Sequence, residues 1–189
     1  MIPDASGEPN DIRDNRWHAE ITDAAKNWLA IDGLWFLAVE QTYGLEAAIA
    51  CDIEVWKQFS VIEAKRIKIR LGLPEHGGLE ALEHALRVRL FSFLDRYEIH
   101  RPYPCTLELR MITCRTQDAR ERKGLAFFPC KQIGMVDYPR FAQTIDPDIR
   151  TICISCPPDE QTGEFRCVWR FSIDPVHIHE QIKNPNAIT

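Results

Sequence analysis

Cys114 marks the point where reactive and charged residues are most concentrated in this chain. Arg110, Arg115, Arg120, Arg122 and Lys123 all lie within a few positions of it. A cysteine reacts as its thiolate, and guanidinium groups or the start of a helix stabilise that form. Cys114 falls where a predicted strand gives way to a short helix, so a lowered pKa is expected. It would then serve as a nucleophile or a metal ligand. Arg110, Arg115 and Arg120, with the free N–H groups of the helix start, would hold a substrate carboxylate or phosphate. The alternative is a buried thiol acting as a small hydrophobe beside a solvated basic helix face.

A second grouping is Cys153-Ile154-Ser155-Cys156, a CxxC spacing that two of Cys114, Cys130 and Cys167, the first two above all, would complete to four soft ligands. Such a set suits zinc or an iron–sulfur centre. Strand parity argues against it. Residues three apart on an extended strand face opposite sides, so Cys156 would share a face with Ile152 and Ile154 while Cys153 points away. Only a bulge near the strand end would bring the two together. Cys167 alternates with Phe165, Trp169 and Phe171 and reads as core. Cys51 and Cys105 read as structural. His177 and His179 either join a metal site or belong to an exposed tail.

Asp32 sits inside an apolar run between Ile31 and Gly33. A carboxylate there must be solvated, paired or protonated. It would line a pocket as an acid or base with a raised pKa, or pair with an arginine of the C-terminal half. Glu40 has the same options. Trp28, Trp35, Trp56 and Phe59 recur at helical spacing and would wall a ligand pocket, fill a core or form a dimer seam.

The elements that must position these residues change character midway. Apolar residues repeat every three or four positions over 17–43, 45–71 and 79–96, predicting three helices. Gly44 and Gly72 are placed to end the first two. Residues 105–113 alternate, with Leu107, Leu109 and Met111 opposite Glu108 and Arg110, which predicts a half-buried strand. A short helix at 116–124 and another at 137–145 follow, the latter with Asp137 as its N-cap. Strands at 149–156 and 165–173 form a hairpin around the polar turn from Pro157 to Glu164.

The chain of 189 residues is long enough for one domain with a real core. A net charge of -5 argues against general nucleic-acid binding. No apolar run approaches a membrane span, and the N-terminus lacks the pattern of a secretory signal. Seven cysteines, an odd number, fit free thiols in a reducing, cytoplasmic setting.

Distinctive stretches carry a resemblance. They include Leu34-Trp35-Phe36-Leu37-Ala38-Val39-Glu40, Tyr43-Gly44-Leu45-Glu46-Ala47-Ala48, Asp52 and Trp56. Cys114-Arg115, Gln117, Ala119-Arg120, Lys123-Gly124-Leu125, Pro129-Cys130-Lys131 and Cys156-Pro157-Pro158-Asp159 extend it. The chain resembles, over roughly residues 25–173, a family of small cytosolic prokaryotic proteins of unknown function. Some members carry the label aminothiazoline-carboxylate hydrolase-like, so the resemblance implies a hydrolase. At the level of fold alone the order of elements is similar to ligand-binding domains of the vinyl-reductase type.

The expectation is an α+β fold. A disordered tail covers 1–16 and a single domain covers 17–189. In that domain a helical N-terminal half (17–100) packs on a small, mainly antiparallel sheet with a C-terminal hairpin (101–174). The expected role is binding of a small anionic molecule at a Cys/Arg-lined site, with Cys114 as nucleophile if it is hydrolysed. A cysteine-ligated metal module is the second reading. A non-catalytic protein that forms homodimers through its aromatic helices is the third.

Overall fold

The computed structural model describes residues 11–160 and 163–174, with side chains from residue 16 onward. His177, His179 and the rest of the tail beyond Asp174 lie outside the described residues, as do residues 1–10 and 161–162. Helix α1 runs Asp11–Tyr43 and α2 runs Leu45–Leu71. α1 therefore begins inside the stretch expected to be a tail. Gly72 ends α2 at φ 62°, a left-handed position that glycine adopts without a Cβ clash, and its N–H caps the carbonyls of Lys68 and Ile69.

The third helix is shorter than its leucine stripe predicts. α3 covers Gly78–Leu86, and a separate 3-10 turn covers Leu90–Phe93. The break has a physical cause. Arg89 takes an extended conformation and sends its guanidinium inward, where it meets Glu63 of α2 at 2.8 Å and Asp137 at 2.9 Å. A buried cation needs such partners.

Strand β1, Tyr97–Tyr103, lies between the third predicted helix and the strand predicted from residue 105, where the sequence pattern predicts no element. It is an edge strand, where the missing N–H of Pro102 is tolerated, and its pairing shifts between His100 and Tyr103. β2 (Thr106–Met111), β3 (Arg150–Ser155) and β4 (Cys167–Ser172) complete a sheet of order β1-β2-β4-β3, antiparallel throughout. Leu107, Leu109 and Met111 are buried as alternation requires. Glu108 on the opposite face is covered by Arg110 and Arg170.

Two helices lie between β2 and β3: α4 (Arg115–Arg122) and α5 (Lys131–Ile145). α5 begins earlier than expected, capped by Cys130. Asp137 is not its N-cap but an interior residue, bonded to Arg89 and to the Ser60 hydroxyl at 2.7 Å. The main core joins α3, α5 and the sheet through Leu82, Leu107, Phe141, Trp169 and Phe171. A second cluster of Ile49, Trp56, Phe128 and Ile133 welds the α1–α2 hairpin to the start of α5. The fold is α+β. No helix among the described residues is long and apolar enough to cross a membrane.

Candidate functional site

The two halves of the chain do not close completely on each other. Between the α1–α2 hairpin and the wall formed by β2, β4, α4 and α5 lies a cavity of about 900 Å³. That volume is in the range that holds a small organic molecule. Asp32, Cys114, Arg115, Arg120, Cys130 and Cys156 all line it, so the tertiary structure gathers most of the residues singled out from the sequence. Arg110 and Cys153 are not among the lining residues.

Proximity changes the chemistry expected of Cys114. It is the residue before α4, as predicted, but burial pushes its thiol up to about 12, and the nearby Asp95 carboxylate adds to the effect. Burial thus works against the thiolate expected there, and Arg110, Arg115 and Arg120 are engaged with other groups. Arg115 donates from Nε to the Leu94 carbonyl at 2.9 Å. Arg120 grips Glu40 of α1 through both terminal nitrogens and donates from Nε to the Ala126 carbonyl. Arg110 folds back on Glu108 and lies over the Phe165 ring. Arg115 and Arg120 thus tie elements together, while Arg110 stays paired within its own strand.

The thiol favoured as thiolate is Cys130. Its Sγ lies 3.5 Å from Cys156 Sγ and accepts from Gln117 Nε2 at 3.6 Å. The hydrogen bond from Cys156, then that from Gln117, pull the Cys130 pKa below its ordinary value, and Cys156 as donor is pushed up. The approach depends on a bulge. Cys153 pairs with Trp169 but Ser155 pairs with Val168, so one residue is extra on β3. Simple parity is thereby overturned at the strand end: Ile152 and Ile154 are exposed, Cys153 packs on the core and Cys156 is buried. Cys167 packs against the core beside Trp169 and Phe171, as read from the sequence. The four thiols Cys114, Cys130, Cys153 and Cys156 do not close into one ligand set. Among the described residues, the only three ligating side chains with all atoms within 4.8 Å of one another are His76, Asp146 and Asp148.

On the opposite wall, burial raises the pKa of Asp32, one of the alternatives its place in an apolar run left open. Asp52 of α2, missed from the sequence, is raised to about 7 by burial and by the charge of Asp32, against a hydrogen bond from Trp56. Asp95 is raised to about 6 by burial, although the Arg115 N–H and the Thr113 hydroxyl donate to it. Asp52 was discoverable: it stands four residues before Trp56 on a face that is otherwise apolar. Asp95 carried no such signal. Trp28, Trp56 and Phe59 pack on one another, Trp28 and Phe59 at 5.5 Å between ring centroids, whereas Trp35 is exposed.

No curated protein and no solved structure matches this chain. The match that does exist spans nearly all the described residues and names no activity, so the hydrolase-like label does not carry over with it. Over residues 11–173 the chain belongs to a family of unknown function, DUF6125.

Proposed function

We propose that this protein binds a small organic acid in the cavity between the α1–α2 hairpin and the sheet side. The observation that supports it is the cavity itself: about 900 Å³, walled by Trp56 and Phe128 and furnished with a few polar groups. The acid group would sit at the cavity edge against Arg122 and Lys123, which are exposed cavity-lining cations, in place of the arginines expected from the sequence. The body would lie inward, where the protonated forms of Asp52 and Asp95 donate hydrogen bonds. Binding fits better than hydrolysis. A thiol hydrolase needs an activated nucleophile, and burial holds the Cys114 thiol in its protonated form.

The test is thermal stabilisation by a panel of aromatic carboxylates, each run against its uncharged amide. Gly33 faces open space on the cavity wall, so Gly33→Leu fills it. At least one carboxylate should stabilise the wild type more than its amide does, and Gly33→Leu should remove the effect. Equal shifts for acid and amide, or unchanged shifts in Gly33→Leu, would rule the reading out.

A second reading rests on a different surface. Trp17, Ile21, Ala24, Ile31, Trp35 and Ala38 are exposed on α1 at intervals of four, three or seven residues. That is the repeat by which like helices pair, so we infer that a second copy of the chain covers this face. Sedimentation velocity should show a dimer that Trp35→Glu converts to monomer; a monomeric wild type would reject it.

A further inference from the structure

Cys130 and Cys156 are 26 residues apart in sequence, yet their sulfurs are at 3.5 Å, within hydrogen-bonding distance of each other. The surroundings hold them there. The Lys131 N–H donates to the Pro157 carbonyl at 2.9 Å, and Lys131 Nζ bonds both oxygens of Asp159 at 2.8 Å. Asp159 in turn accepts from the Cys156 N–H. The start of α5 is thus clamped to the turn after β3, with one thiol on each side of the clamp. Both cysteines line the cavity, which gives a small reagent a route to Cys130. A metal is a poorer fit for the pair. No third His, Cys, Asp or Glu among the described residues has a ligand atom within 4.8 Å of both sulfurs, and structural zinc takes four ligands.

We propose that Cys130 and Cys156 form a redox-active dithiol that closes to a disulfide by exchange with small-molecule disulfides. Closure requires the sulfurs to move from 3.5 Å to about 2.05 Å. Cys130 attacks first. Its proton leaves to solvent, helped by the Gln117 and Cys156 donors and by the N-terminus of α5. The thiolate forms a bond to one sulfur of the incoming disulfide and breaks its S–S bond, releasing one small thiolate. Cys156 then loses its proton to that thiolate and attacks Cys130 Sγ, expelling the second small thiolate, which takes a proton from solvent. Two protein thiols are oxidised to one disulfide and one small disulfide is reduced to two thiols.

The experiment uses the full-length chain with Cys51 replaced by Ser, because Cys51 is exposed on α2 and would react on its own account. Reduced protein is exposed to oxidised glutathione, quenched with acid, and examined by intact mass and peptide mapping. The expected product has lost two hydrogens, carries no glutathione and yields a Cys130–Cys156 cross-linked peptide. Cys156→Ser should instead accumulate one glutathione on Cys130, and Cys130→Ser should leave Cys156 unmodified. A stable glutathione adduct on Cys130 in the otherwise unaltered protein, a cross-link between other cysteines, or no reaction at all would overturn the proposal. Circular dichroism of both serine variants shows that each is folded before exposure.

Discussion

Arg120 of α4 holds Glu40 of α1 with two guanidinium nitrogens, at 2.8 and 3.0 Å, across 80 residues of sequence. The pair ties the helical half to the sheet half at the edge of the cavity. Arg120 is buried and Glu40 largely so, which makes removal of one partner costly. Arg120→Ala should lower stability to urea by about 3 kcal/mol. Arg120→Lys should recover only part of it, since one ammonium cannot reproduce the fork. The Arg120 hydrogen bonds hold the Glu40 carboxyl below its usual range. Its contribution is therefore present above the unfolded value of 4.5 and lost as pH falls through the lower folded value. The difference between wild type and Arg120→Ala should shrink in acid.

Asp52 has the opposite sign. Its folded pKa of about 7 exceeds the unfolded 3.8. Its contribution is complete below pH 3.8 and is lost as pH rises through about 7. Asp52→Asn should therefore match the wild type in acid and be more stable at pH 8, by about 2 kcal/mol once the relaxation of a cavity wall is allowed for. Chemical denaturation at several pH values measures this; a variant less stable than wild type at pH 8 would contradict it.

Cysteine reactivity should follow the three-dimensional environment and not the sequence neighbours. Under brief iodoacetamide treatment at pH 8, exposed Cys51 should label first and Cys130 next. Cys114, pushed up to about 12, should lag Cys130 by about tenfold or more in the folded protein. In urea the three should react alike. Fast labelling of folded Cys114 would restore the thiolate expected from its arginines.

Gly134 tests the packing behind the thiols. A Cβ there would lie 2.4 Å and 2.8 Å from two ring carbons of Trp169, which is fully buried. The indole cannot withdraw easily, since it is fully buried and packed against Tyr138 at 4.6 Å between ring centroids. Gly134→Ala should cost about 1–3 kcal/mol despite the better helix propensity of alanine, and should shift the tryptophan emission.

Local pattern was sufficient for much of this protein. Apolar spacing determined α1, α2 and the alternation of β2, because helix and strand periods are properties of contiguous residues. The same logic placed Cys114 before α4 and Cys167 on the core. What only the tertiary structure decided were the partnerships. Arg89 broke the third helix because Glu63 and Asp137 await it inside. Arg115 and Arg120, which look free beside Cys114 in sequence, are taken by the Leu94 carbonyl and by Glu40. The thiolate-favoured sulfur therefore passed from Cys114 to Cys130, through a single extra residue in β3 that reverses strand parity at Cys156. Charge and burial are set by whatever packs against a group, and for these residues the deciding neighbours lie tens of positions away.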